Sequence, residues 1–284
     1  TGVQIGTCFT LADDDDHDGL TNEQERNGPD NNPNTPDGTN PHDPDTDDDG
    51  IIDGAVRHVS YLNIAGQQIS VVTDPLDADT DDDGILDGAE IAGPDGNLST
   101  LGDATDPRDA DSDDDGLSDG DEIHGTGLLN GFSPTNPRLL DTDADGLPDG
   151  IEVGALLPIS GGISDGGQSV QYLGTNITSI IVLRTLVVPN TTDPNIADTD
   201  GDGLLDGNED ANHDGIVQNT IGDSTSVGSG ETDPNDADTD KDGISDGIEV
   251  NDLGSNPLDT DSDNGGRTDH QEYYEDHTNL TDKA

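Results

Sequence analysis

Between Thr232 and Val250 the chain reads T-D-P-N-D-A-D-T-D-K-D-G-I-S-D-G-I-E-V. Within it Asp238, Asp240, Asp242, Asp246 and Glu249 take positions 1, 3, 5, 9 and 12 of a 12-residue frame, with Gly243 at position 6 and Ile244 at position 7. This is the oxygen-ligand spacing of a calcium loop. Carboxylates stand at 1, 3 and 5, a backbone carbonyl at 7, position 9 acts directly or through water, and a bidentate Glu closes the shell at 12. The glycine turns the backbone sharply enough for ligands on both sides to converge on one ion.

The frame recurs along most of the chain. Complete sets are Asp14, Asp16, Asp18, Asn22 and Glu25; Asp79, Asp81, Asp83, Asp87 and Glu90; Asp111, Asp113, Asp115, Asp119 and Glu122; Asp141, Asp143, Asp145, Asp149 and Glu152; and Asp198, Asp200, Asp202, Asp206 and Glu209. Three sets are degenerate. Asp45, Asp47, Asp49 and Asp53 end on Val56 at position 12, so weaker binding is expected there. Asp210, Asn212 and Asp214 precede Gly215 but have no acid at position 12. Asp261, Asp263, Asp269 and Glu272 form the last set, with Gly265 in place of the position-5 acid. Each loop is named below by its position-1 residue.

The composition gives these acids a second meaning. The 284 residues carry 66 Asp and Glu against 8 Lys and Arg, a formal charge of −58, and only 27% are hydrophobic. So little apolar side chain cannot build a core for a chain of this length. Without counter-charge such a sequence repels itself and stays disordered. Bound Ca2+, several ions in number, is therefore the expected source of order. The same charge argues against nucleic acid and anionic membranes as partners, and no apolar run is long enough for membrane insertion.

Between the loops lie segments of other character. Residues 1–12 alternate, with Val3, Ile5, Phe9 and Leu11 on one face, and predict a strand able to pair with this chain or with another. Loops fill 13–54, although residues 27–44, rich in Pro, Asn and Gly, predict irregular backbone. Two β-rich runs in 55–73 flank Ala65-Gly66 and predict a hairpin. Loops resume over 74–152. The insertion 153–190 carries the most apolar run, Ile177 to Val188, where β-branched residues favour strands. Loops and a short tail complete 191–284. The start at Thr1 suggests a processed form or a fragment, and Cys8, the one cysteine, is expected as a buried free thiol, with pairing between chains or a lipid anchor as the alternatives.

The unit T-D-P-x-x-A-D-T-D-x-D-G-x-x-D-G-x-E is similar to thrombospondin type 3 repeats of the cysteine-free bacterial kind, over about 13–54, 74–152 and 191–272. EF-hands fit less well, because proline and dense acid before the loops oppose an entering helix. The resemblance implies a mostly irregular calcium-stabilised array with little helix, here with small β-strand or β-sandwich-like insertions, in which ions replace a core. It also implies a second ion per repeat. An extra acid two residues before position 1 suits that ion at Asp43, Asp77, Asp109, Asp236 and Asp259, while Leu139 and Ile196 stand there in two loops. Apolar anchors are expected at position 7 (Ile85, Leu117, Leu147, Ile244) and after the Glu (Ile91, Ile123, Val153, Val250).

No nucleophile elbow, His/Cys metal set or phosphate loop is present in the sequence, so an enzyme is not expected. His17 and His213 fall on the non-ligand position 4. The expected role is an extracellular or cell-surface structural protein: a calcium-rigidified rod or fibre subunit, polymerising head to tail with itself through the N-terminal strand. The alternative is a calcium-dependent stalk or adhesive region of a larger bacterial surface protein, acting with other surface proteins.

Overall fold

The computed structural model describes residues 13–29, 31–55, 59–62, 68–93, 105–156, 159, 191–216, 230–278 and 280. The described residues up to Ser112 form one compact unit, and those from Asp113 onward form another. Most of the described backbone is turn and irregular, with little helix.

The order comes from one backbone motif repeated in loop after loop. Position 6 is Gly at positive φ, for example Gly50 at 98°, Gly84 at 99° and Gly243 at 99°. Position 4 is left-handed too: His17, Asp48, Asp82, Asp114, Ala144, Lys241 and Asn264 have φ between 58° and 70°. Two left-handed residues in three curl the chain around its own acids. The position-1 carboxylate holds the curl, accepting the position-6 N–H at Asp45 (3.0 Å), Asp141 (2.9 Å) and Asp261 (2.8 Å). Position 5 fixes the exit, since Oδ1 of Asp18, Asp145, Asp202 and Asp242 accepts the position-7 N–H at 2.7 to 2.8 Å.

From position 9 the chain makes a turn or two of helix and stops. These helices are α1 (Asn22–Asn27), α2 (Asp87–Ala92), α3 (Asp119–His124), α4 (Asp149–Glu152), α5 (Asp206–Glu209) and α6 (Asp246–Ile248). Acids in the first turn suit the positive end of the helix. Thr21 and Gln24 form a full capping box at α1. The helices are too short to stand alone, so tertiary contacts hold them.

Apolar packing is local. In the first unit Ile51, Val71 and Ile91 cluster, with Ala55 and Ile69 against them. This patch seats an antiparallel pair within 55–73: β1 (Val59–Leu62) and β2 (Gln68–Val71), with Val59 opposite Val71. In the second unit Leu117, Leu129 and Val153 form one cluster, and Leu147, Ile151 and Ala155 another. Position 7 is buried at Ile51, Ile85, Leu117, Leu147, Leu204 and Ile244. Val250 departs from the expectation and is exposed. The backbone widens into a π turn over Glu249–Leu253 directly after α6, which shifts the side-chain register.

The strand expected over 1–12 lies outside the described residues. So does most of 153–190, where the described part, 153–156 and 159, is turn and irregular backbone.

Candidate metal centres

Positions 1, 3 and 5 converge as their spacing predicts. Carboxylate oxygens of Asp14, Asp16 and Asp18 lie within 4.8 Å of one another, as do those of Asp45, Asp47 and Asp49, and of Asp79, Asp81 and Asp83. Position 3 shows why this matters. One oxygen accepts the position-5 N–H, as at Asp47 (3.3 Å), Asp143 (3.2 Å) and Asp240 (3.0 Å). The other, Oδ2, is buried without a hydrogen-bond partner at Asp16, Asp47, Asp81, Asp143, Asp200, Asp240 and Asp263. The position-12 acids repeat the pattern: Oε2 of Glu122, Glu152, Glu209, Glu249 and Glu272 is buried and unpartnered. Buried acceptor oxygens left without donors at the same two positions of successive loops are groups that a bound cation could satisfy.

Position 9 reaches across loops. Asp53, at position 9 of the Asp45 loop, lies within 4.8 Å of Asp18 and Glu25 of the preceding loop, and all three are buried. This is a second cation-sized group of acids, built from positions 5 and 12 of one loop and 9 of the next. The residue after position 9 sets the approach. The Gly150 N–H donates to Asp115 Oδ2 at 3.1 Å, Gly207 to Asp145 Oδ2 at 2.9 Å, Gly247 to Asp202 Oδ2, and His270 to Asp242 Oδ2 at 2.9 Å.

Two hydroxyl positions escaped sequence reasoning. The position-2 residue bonds both oxygens of position 9: Thr46 to Asp53, Thr80 to Asp87, Thr199 to Asp206, Thr239 to Asp246 and Ser262 to Asp269, with hydroxyl distances of 2.5 to 2.6 Å. The same hydroxyl accepts the backbone N–H of the residue before the proline of a T-D-P, T-N-P or S-N-P triplet, at Asn40, Asn136, Asp233 and Asn256 among others. The threonine or serine one residue earlier donates to Oε1 of the preceding position-12 Glu: Thr105 to Glu90, Thr135 to Glu122, Thr192 to Glu152, Thr232 to Glu209 and Ser255 to Glu249. The signal was in the sequence, where hydroxyl residues recur at both places.

The exceptions are informative. Val56 stands where the Asp45 loop would carry its Glu, and the hydroxyl of Thr73, which would clasp that Glu, is buried without a partner. Glu25 has both oxygens unpartnered, and the Thr39 hydroxyl is buried without a partner as well. Glu25, Thr39 and Thr73 all line an open cavity of about 790 Å³. The partial Asp210 loop keeps the turn, with Gly215 N–H donating to Asp210 Oδ2 at 2.7 Å. Its Asn212 amide donates to the buried Glu231 at 2.5 Å, an acid 19 residues on that the 12-residue frame could not reveal. The Asp261 loop also turns normally, Gly265 donating to Asp261 Oδ1 at 3.0 Å. Of the extra acids, Asp236 is ion-paired with Lys241. His17 and His213 are exposed at position 4 and bond backbone carbonyls.

Burial and mutual repulsion act on the acids together. Burial, reinforced by Asp16, Asp18 and Asp53, pushes the Glu25 carboxyl up to about 7. Burial raises Glu209 and Glu249 to about 8 and Glu152 to about 10, against the clasping hydroxyls that lower them. Asp81 and Asp240 rise to about 7 from the same desolvation plus the neighbouring position-5 Asp. Two carboxylates about 5 Å apart repel by on the order of 3 kcal/mol at an effective dielectric near 20. A divalent cation removes both penalties. All the donors are oxygens, as hard cations require, and five or six protein ligands with a carboxylate at 12 suit Ca2+ better than Mg2+.

No family model matches the chain, and no curated relative does. A solved structure described as the B domain of a biofilm associated protein is 30% identical over a stretch covering 16% of this chain and 11% of that chain, with a TM-score of 0.16. A likeness of that size carries no argument about fold or role. Among the described residues no helix is long and apolar enough to cross a membrane.

Proposed function

We propose that the chain is an extracellular calcium-binding structural protein of the thrombospondin type 3 kind, in which rows of Ca2+ take the place of a hydrophobic core. The carrying observation is the recurrence of buried, unpartnered Oδ2 at position 3 and Oε2 at position 12. Small local apolar clusters cannot alone order this much chain, so ion binding supplies folding free energy. No catalytic role is assigned to the acids, whose spacing serves coordination.

The finer reading is a cell-surface rod or fibre subunit that polymerises head to tail, its residues 1–11 adding a strand to the next copy. The alternative, a stalk or adhesive region of a larger bacterial surface protein, uses the same calcium chemistry without self-assembly.

Circular dichroism and sedimentation with saturating calcium, then with chelator, test the core claim. Expansion and loss of structure on chelation are expected, while a chain that stays compact in chelator would refute it. Deleting residues 1–11 separates the two finer readings. Polymers that persist after the deletion would sink strand addition.

A further inference from the structure

At three successive junctions in the second unit a closed ring of bonds joins one loop to the next. The Thr192 hydroxyl donates to Glu152 Oε1 at 2.9 Å, and the next residue, Asp193, donates its N–H to Thr199 Oγ1 at 3.3 Å. Thr199 donates its hydroxyl to Asp206 Oδ2 at 2.6 Å and its N–H to Oδ1 at 2.8 Å. One residue on, Gly207 donates to Asp145 Oδ2 at 2.9 Å. Asp145 and Glu152 are positions 5 and 12 of the same loop, so the path leaves and re-enters one candidate cation site.

The ring recurs at the next two junctions. Thr232 clasps Glu209, Asp233 bonds Thr239, Thr239 bonds Asp246, and Gly247 returns to Asp202. Ser255 clasps Glu249, Asn256 bonds Ser262, Ser262 bonds Asp269, and His270 returns to Asp242. Thr199, Thr239 and Ser262 each sit at position 2, between the first two ligands of the following loop. A cation that fixes positions 5 and 12 of one loop therefore also fixes the segment that must bind in the next.

In the first unit the ring is open at two junctions. The hydroxyls of Thr39 and Thr73, which would clasp a preceding Glu, are buried without a partner.

We propose that Thr199, Thr239 and Ser262 are positioning residues that couple each calcium site to the one before it, so that the Asp141, Asp198, Asp238 and Asp261 loops load as one cooperative block. The Asp14 and Asp45 loops, with open junctions, load independently of it. Coupling of this kind is reciprocal, so each ion raises the affinity of its neighbours on both sides. The inference rests on the calcium reading above and adds the order of loading.

The test is a calcium titration of the full chain, with free calcium measured directly and hydrogen exchange followed at each loop. A steep phase protecting the Asp141, Asp198, Asp238 and Asp261 loops together, and a separate shallow phase for the Asp14 and Asp45 loops, are expected. Thr239→Val should lower the slope of the steep phase toward that of independent sites, and Thr239→Ser should preserve it. Thr80→Val, at an open junction, should leave the steep phase unchanged. Should Thr239→Val not regain the unaltered spectrum at saturating calcium, Ser262→Ala takes its place and should release the Asp261 loop alone from the block. The proposal is overturned if the unaltered chain loads these loops independently, if the hydroxyl-deleting variant keeps its slope, or if Thr239→Ser is equally damaging. A chain that binds no calcium would instead refute the proposed function.

Discussion

The Thr192 hydroxyl donates to Glu152 Oε1 across 40 residues of sequence, at 2.9 Å, and both residues are buried. Its counterpart Thr73 is equally buried and has nothing to bond. The same substitution should therefore act oppositely at the two sites. Thr192→Val removes a donor from a buried carboxylate and should cost about 1.5–3 kcal/mol of calcium-loaded stability. Thr73→Val removes an unsatisfied hydroxyl and should be neutral or stabilising by up to about 1 kcal/mol. Thermal unfolding of both variants in saturating calcium checks the sign.

Glycines at two loop positions should respond differently to substitution. A Cβ at Gly207 would lie 2.6 Å from the Asp145 backbone oxygen, so Gly207→Ala must push two loops apart. A cost of about 1–3 kcal/mol is expected, as for other overpacked sites. Gly201 sits at position 4 with φ of 77°, and a Cβ there would meet nothing within 4 Å. His, Asp, Ala, Lys and Asn adopt that conformation at the equivalent position of other loops. Gly201→Asn should change stability by less than about 1 kcal/mol, and a gain is expected if the loss of unfolded-state freedom dominates. Equal damage from both substitutions in a denaturant titration would contradict this placement.

What the sequence disclosed and what it hid follow the range of each interaction. Acids at positions 1, 3 and 5 were legible because they converge within one turn of chain, and the buried Leu117 and Ile244 followed from the same frame. The bond from Gly207 to Asp145 spans 62 residues, so no local spacing announces that position 10 must be small there. His270 shows that the N–H, not the glycine itself, makes the bond. Asp53 was assigned to its own loop by spacing, yet it also stands against Asp18 and Glu25. Left-handed position 4 was hidden because no residue type marks it. Val250 was misplaced because a pattern of apolar residues cannot foresee a π turn.

Acid pH and calcium should substitute for each other as sources of order. The folded chain holds the Glu25 carboxyl at about 7 and those of Glu209 and Glu249 at about 8, against an ordinary value of 4.5. Raised folded-state values mean that the folded form binds protons more tightly than the unfolded form. In chelator, the stability these groups contribute is then fully present below about pH 4.5 and is lost as pH rises through 7 to 8. Calcium works in the opposite direction, because it needs the carboxylates ionised, so its affinity should fall as pH drops through the same window. Circular dichroism from pH 4 to 9 should show order lost on raising pH in chelator and order retained at pH 8 in calcium. Each ion bound near pH 7 should release protons, measurable in weakly buffered solution. A chelated chain more ordered at pH 8 than at pH 5 would show that these carboxyls are not buried together in the folded state.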